Sequence, residues 1–341
     1  MNSTVIAIDL AKDVFQVLVS HVPGQVAERH RFSRRKLTTW IAEAAPATVL
    51  LEACGMAHFW ARTISRFGHR VFLIPPHVSH RYLAGNKTDE NDAKALLEAW
   101  RNEEIQAVPV KSEEQQGITG LHRLRTGWVT TKTARINEVR GLLREFGLTI
   151  PLGADRFLER ASPILHDETN GVPAPLRAAL TSTLEEILDL AGKIENMDKV
   201  INRVGKHTPK VRVLQSIPGI GPLTASAAAA SLVDLGRFRS ARHLPSALGL
   251  TPREYSTGNR RHLGRITKRG DRYLRTLLIH GGRSVLRAAK TKKNPTTLDA
   301  WALHRERAIG HNKAAVAVAN KLARLMWAVW TKGKPYQPTA A

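Results

Sequence analysis

Over the first hundred positions the apolar residues come in short runs, and beyond them at helical spacing. VIAID (5–9) and TVLLE (48–52) are β-branched or leucine-rich runs bounded by small or polar residues, so both predict buried strands. Each finishes on a carboxylate, Asp9 and Glu52. FQVLVS and VAERHRFS predict an antiparallel meander after VIAID, and a helix around 36–44, a helix around 57–67 and the strand RVFLIPP are interleaved with TVLLE. In TDENDAKALLEAW, Thr88 or Asp89 can cap a helix whose apolar face runs through Ala93, Leu96, Leu97 and Trp100. Asp89 and Asp92 stand three residues apart and share one face of its first turn.

A meander followed by strands alternating with helices predicts an α/β domain with a ribonuclease-H-like sheet over residues 1–107. Residues 108–208 turn helical. GITGLHRLRTGWVTTKTARINEVRGLLREFGL and LRAALTSTLEEILDLAGKIENMDKVINRVGKH are long amphipathic stretches, separated by a segment with helix-breaking Pro and Gly. They predict a pair of long antiparallel helices suited to core packing or to dimerisation, with a nucleic-acid cradle left open by the basic residues of the first. A third, mostly helical region covers 209–335. There Pro218-Gly219-Ile220-Gly221 fits either a plain turn between packed helices or a helix-hairpin-helix-like motif whose Gly219 and Gly221 backbone meets a phosphate. The small residues of TASAAAASL fit close helix packing, and the run is too short to span a bilayer.

Charge narrows the partners. Lys and Arg number 52 against 29 Asp and Glu, a net charge of +23 with a pI near 10.8, which points to a polyanion, nucleic acid before any other. Neither a basic amphipathic membrane helix nor an apolar span is evident, so no membrane role is expected. The N-terminus enters a strand without the pattern of a signal peptide, and Cys54 is the sole cysteine; both fit a reducing cytosol. A lone cysteine without a His partner is expected to be buried and inert. The 14 histidines show no metal-binding spacing.

Taken singly, each of Asp9, Glu52, Asp89 and Asp92 reads as a cap or a solvated charge, as Asp13, Glu43 and Glu90 do. Taken together, three segments deliver four acids in order, two of them at strand ends, where ligand sites of open α/β sheets gather. An oxygen-only set suits Mg²⁺, or Mn²⁺, rather than zinc, and paired ions of this kind serve phosphodiester chemistry.

The second informative segment is LGLTPREYSTGNRRHLGRITKRGDRYLR. Arg253, Arg260, Arg261, Arg265, Lys268, Arg269, Arg272 and Arg275 face only Glu254 and Asp271 there. From spacing alone it reads as a solvated basic loop on a nucleic-acid face whose Ser256 and Thr257 hydroxyls bind phosphates, since the sequence shows no general-base partner for them.

VIAIDLAKD, LLEACGMAHFW, NKTDENDAK, SIPGIGPLTA, LGLTPREYSTGNRR and ITKRGDRYLR occur together and in order. In this the chain resembles, over almost its whole length, the insertion sequence 110 transposase family, in its insertion sequence 1111 branch. The resemblance implies a RuvC-like domain with a DEDD acid set, a coiled-coil middle and a carboxy-terminal transposase domain holding a nucleophilic serine. It implies a DNA recombinase that binds Mg²⁺ through Asp9, Glu52, Asp89 and Asp92 and is guided by a structured noncoding bridge RNA; the long central helices suit a homo-oligomer, dimer or tetramer. The family's serine stands directly before the glycine, where this chain has Thr257; Ser256, one position earlier, is the expected nucleophile and Thr257 the second candidate. Arg253 and Arg260 are expected to brace the phosphate oxygens, and the acids and the serine, from different domains, to form a composite site. Two rival readings use the same residues. A structure-selective endonuclease would activate water with the acids, and a non-catalytic nucleic-acid-binding protein would use the basic segment alone.

Overall fold

The computed structural model describes residues 4–83, 86 and 88–339. They form two compact units, one running to Gln115 and taking in Leu232–Asp234, the other comprising Gln116–Ser231 and Leu235 onward.

In the first unit β1 (Val5–Asp9), β2 (Val14–Ser20) and β3 (Glu28–Ser33) form an antiparallel meander. After α1 (Arg34–Glu43), β4 (Thr48–Glu52) pairs parallel with β1, and after α2 (Ala57–Arg66), β5 (Arg70–Ile74) pairs parallel with β4. The sheet order is therefore β3-β2-β1-β4-β5. A short α3 (Pro76–Ser79) leads to α4 (Asp89–Trp100).

Continuous apolar runs such as β1 and β4 must be covered on both faces, and here they are. Ile6, Ile8, Val49 and Leu51 pack with Leu37, Ile41, Trp60 and Ile64 from α1 and α2. Ala7 and Leu50 point the other way and pack with Leu96 and Ala99 of α4. Side chains alternate along a strand, so this parity fixes the direction of the residues that follow.

The second unit is helical apart from one hairpin. Its elements are α5 (Glu113–Arg144), which begins at the edge of the first unit, α6 (Ala154–His166), α7 (Ala174–His207), α8 (Pro209–Leu214), α9 (Pro222–Leu232), α10 (His243–Ala247), β6 (Pro252–Glu254), β7 (Leu263–Ile266), α11 (Arg272–Ala289), α12 (Thr297–Ile309) and α13 (His311–Lys332). Arg125 pairs with Asp198 and Arg135 with Glu186, so advancing along α5 runs backward along α7 and the two are antiparallel. Between them lies α6, where Pro and Gly predicted an interruption. Pro163 forfeits one helical N–H, but Phe157, Ala161 and Leu165, four residues apart, are at most 3% exposed against Val139, Leu143, Leu180 and Leu184, and that burial outweighs the proline.

Glycines set the spacing around α11. A Cβ on Gly281 would stand 2.3 Å from the Gly219 carbonyl, and one on Gly282 would stand 2.4 Å from that of Ala315 in α13. The small residues of α9 are buried, Ala225 and Ala228 completely. A polar knot ties α5, α9 and α11 together. His122, only 3% exposed, bonds Tyr273 Oη through Nδ1 and Ser226 Oγ through Nε2, each at 3.0 Å. Burial, with the Arg125 guanidinium beside it, pulls its imidazole down to about 4, so it is neutral at physiological pH. Trp301, Trp327 and Trp330 are half-buried; Trp327 Nε1 donates to the Phe238 carbonyl at 3.2 Å, and the Lys321 and Lys210 ammonium groups lie over the rings of Trp301 and Trp330. Among the described residues no helix is long and apolar enough to cross a membrane.

Candidate active site

Asp9 follows Ala7 by two positions and Glu52 follows Leu50 by two, so both carboxylates leave the sheet on the α4 side. The parallel register Ile8↔Leu51 sets them at the same level, on neighbouring strand ends. On α4, Asp89 and Asp92 continue the stripe of Leu96 and Ala99 that packs on the sheet. Thr88 caps this helix, its hydroxyl accepting from Asn91 N at 3.2 Å, and carboxylates in a first turn are favoured by the helix dipole. Glu90 points elsewhere, paired with Arg29 at 3.1 Å and Lys94 at 2.8 Å.

The four acids feel one another. The Asp9 carboxyl is pushed up to about 6, first by burial and then by the negative charges of Asp92, Asp89 and Glu52. Glu52 is held by Ser79, 2% exposed, whose Oγ donates to Oε2 at 2.8 Å, with His80 Nε2 at 3.8 Å from the same oxygen. Cys54, expected in the interior, is exposed, because the chain turns away from the sheet directly after β4. Partial desolvation of the sulfur by neighbouring atoms, then the charges of Glu52 and Asp9, raise its thiol above the ordinary value, so it stays protonated and a poor nucleophile. A groove of about 690 Å³ lined by Val5, Phe72, Leu97, Trp100 and Ile105 lies at the opposite end of β1 and contains none of the four acids.

The basic segment of the second unit is a hairpin rather than a loop. β6 and β7 pair antiparallel, and Thr257 and Arg260 exchange backbone hydrogen bonds of 3.2 and 3.0 Å across a turn whose first central residue, Gly258, has φ +53°. Arg253, Arg260, Arg261, Arg265, Lys268, Arg269 and Arg272 are all exposed. Arg275 does not belong with them: it is 7% exposed and donates to the carbonyls of Leu248 at 3.0 Å and Arg269 at 2.8 Å. The Ser256 hydroxyl donates to Glu254 Oε1 at 2.7 Å and accepts from the His262 backbone N at 3.2 Å. Gly219 has φ +83° and serves the close approach to Gly281, whereas Gly221 is exposed beside the N-terminus of α9.

Residues 6–147 match the family model of the DEDD transposases of IS110 type, and residues 211–296 match that of the IS116/IS110/IS902 transposase family. The chain is 39% identical over 339 residues to a probable family 20 transposase of Pseudomonas aeruginosa, covering 99% of this chain and 100% of that protein. It is 38% identical over 333 residues to the transposase for insertion sequence element IS1111A of Coxiella burnetii (98% and 91% covered). To the transposase for IS1328 of Yersinia enterocolitica it is 35% identical over 332 residues (97% and 98%). The chain belongs to the IS110 family of transposases.

The first family model spans all four acids and the second spans the hairpin. The transposase is accordingly an enzyme that acts on DNA, with a RuvC-like α/β amino-terminal fold and a helical carboxy-terminal region. Domains of this DEDD type work with divalent metal ions. The acid set fits one: its donors are oxygens alone, and like charges crowd Asp9 as they do where a cation belongs. Among the described residues no three acids, histidines or cysteines close around a single point.

Two residues that touch candidate site residues were not singled out by the sequence. Glu254 counted there only as an opposing charge; its position two residues before Ser256 was the available signal, because such residues share a face wherever the chain is extended. Ser79 sits in a four-residue helix without periodicity, and no pattern in the sequence marks it.

Proposed function

We propose that this transposase cuts and rejoins the DNA of its insertion sequence through a covalent serine–DNA intermediate, with Asp9, Glu52, Asp89 and Asp92 as ligands of Mg²⁺ (or Mn²⁺) and Ser256 as nucleophile. The observation that carries the reading is the crowding of the four carboxylates on one rim of the sheet, registered in the raised affinity of Asp9 for a proton. When bound there, Mg²⁺ would supply charge neutralisation at the phosphate. The residues of the chain do the rest. Ser79 and His80 orient Glu52, and the first turn of α4 aims Asp89 and Asp92. In the hairpin, Arg253, Arg260 and Arg261 brace phosphate oxygens, while Arg265, with Lys268, Arg269 and Arg272 just beyond the hairpin, tracks the backbone. Gly221, and Gly219 behind it, place the start of α9 within reach of a further phosphate. A link through Ser256 conserves the phosphodiester energy, so exchanged strands can be resealed without a nucleotide.

What supports Ser256 over Thr257 is the setting of its hydroxyl, held by a carboxylate on one side and a backbone N–H on the other. Guidance by a structured bridge RNA follows from the resemblance and from the net charge of +23, which suits more than one polyanion. Exposed Leu124 and Leu142 on α5 and Leu188 and Val200 on α7 support assembly as a dimer or tetramer. A bacterial cytosol, close to the nucleoid, is the matching compartment. The test is single-turnover cleavage of labelled element-end DNA with Mg²⁺: replacing any one acid by alanine should abolish cutting and spare nucleic-acid binding, and retained cutting would remove that acid from the site.

A further inference from the structure

We propose that Glu254 is the general base for Ser256, a role that rests on Ser256 being the nucleophile. A hydroxyl is a weak nucleophile until a partner within hydrogen-bond reach takes its proton as attack proceeds. Ser256 has such a partner: its Oγ donates to Glu254 Oε1 at 2.7 Å. The contact is built by the hairpin. Glu254 ends β6, and the Tyr255 backbone N donates to the His262 carbonyl at 2.9 Å, which keeps the strand running toward Ser256. Residues 254 and 256 thus fall on one face, and the same alternation turns Thr257 to the other.

The surroundings suit the role. Arg261 Nε lies 3.3 Å from the same Oε1. The Ser256 hydrogen bond first, and the Arg261 charge with it, hold the Glu254 carboxyl below its ordinary range, so it is an ionised acceptor throughout neutral pH. The His262 backbone N, at 3.2 Å, donates to Oγ and stabilises the negative charge that grows there. As Oγ bonds to phosphorus its proton becomes strongly acidic and passes to Glu254. The bond from phosphorus to one deoxyribose oxygen breaks with its electron pair, and that oxygen takes a proton from water. In the religation step the transfer reverses, Glu254 returning a proton to Oγ as the serine leaves.

The decisive experiment follows adduct formation by the full-length protein in single turnover, from pH 5.5 to 9.5, on a labelled duplex of the element's terminal DNA with Mg²⁺ and the element's noncoding transcript. Wild type is compared with E254Q, E254D and S256A, and binding of the duplex is measured in parallel. Glutamine keeps an oxygen that accepts from Ser256 but has no proton affinity. The expected result is unchanged DNA binding, an adduct rate lowered roughly 10²- to 10⁴-fold in E254Q, and partial recovery in E254D. The residual E254Q rate should climb with hydroxide concentration while the wild-type rate stays level above neutrality. An E254Q rate within threefold of wild type, with the wild-type pH profile, would reduce Glu254 to a structural contact and leave the serine reading intact. Adduct formation by S256A, or strand cleavage by wild type without any adduct, would overturn the nucleophile and this inference with it.

Discussion

The acid rim of the first unit and the basic hairpin of the second hold their chemistry by opposite means. At the rim, backbone regularity does the aiming: strand parity sends Asp9 and Glu52 to the α4 side, and helical periodicity puts Asp89 and Asp92 on the stripe that packs there. At the hairpin the strands are three and four residues long and nearly all their side chains are exposed, so Ser256 is set by contacts with Glu254 and the His262 backbone. A site aimed by packed elements tolerates the loss of a neighbour, whereas a site aimed by exposed hydrogen bonds depends on each one.

The largest effects should come from the groups proposed to react in each region. Asp9→Asn is expected to lower strand cleavage by roughly 10³-fold or more, measured in single turnover, with DNA binding intact. Ser256→Ala should lose the covalent adduct entirely on denaturing gels, while Thr257→Ala changes its yield less than about threefold. Equal losses from both hydroxyl variants would contradict the assignment of one nucleophile. Next in size is the support of the rim. Ser79→Ala removes the 2.8 Å bond to Glu52 and should weaken metal-dependent cleavage about 10- to 100-fold, with a raised Mg²⁺ requirement in titrations.

The hairpin cations contribute smaller, additive terms. Arg265→Ala should reduce the slope of log affinity against log salt by about 0.9, read by binding isotherms at several salt concentrations, without altering the adduct rate at saturating DNA. A variant that changed the rate at saturation would place Arg265 at the reacting phosphate.

Smallest, and opposite in sign between the two units, are the pH terms. The folded pKa of His122 is depressed to about 4, so its contribution is complete above the unfolded value of about 6.5 and is lost as pH falls toward 4, on the order of 2 kcal/mol. The folded pKa of Asp9 is raised to about 6, so its contribution is complete below the unfolded value near 4 and is lost as pH rises through 6. Solvent screening at a half-buried carboxylate reduces that cost to about 1 kcal/mol. In urea denaturation of the metal-free protein, H122Q should therefore flatten the decline on the acid side, and Asp9→Asn should gain stability at pH 7.5.

The same contrast governs how much the sequence discloses. Apolar runs ending on acids announce β1, β4 and their carboxylates, and capping with periodicity announces α4, because regular elements write their geometry into residue spacing. Burial of Phe157, Ala161 and Leu165 overrode the breaker signals around α6, an outcome that depends on tertiary partners absent from a local window. The hairpin has no apolar alternation to betray it, and without knowing that the chain is extended there, nothing ties Glu254 to Ser256. Ser79 reaches Glu52 across 27 residues from a four-residue helix, which no local pattern encodes.

The central claim is that strand transfer needs both the carboxylates of the rim and the hydroxyl of Ser256. Its most direct test is mass mapping of protein–DNA adducts formed with element-end DNA, the element's noncoding transcript and Mg²⁺, in wild type, Ser256→Ala and Asp9→Ala. The account predicts one adduct, on Ser256, that is absent from both variants. Cleaved DNA ends with no adduct in the wild type would contradict it, leaving the acids to activate water and the hairpin to bind nucleic acid only.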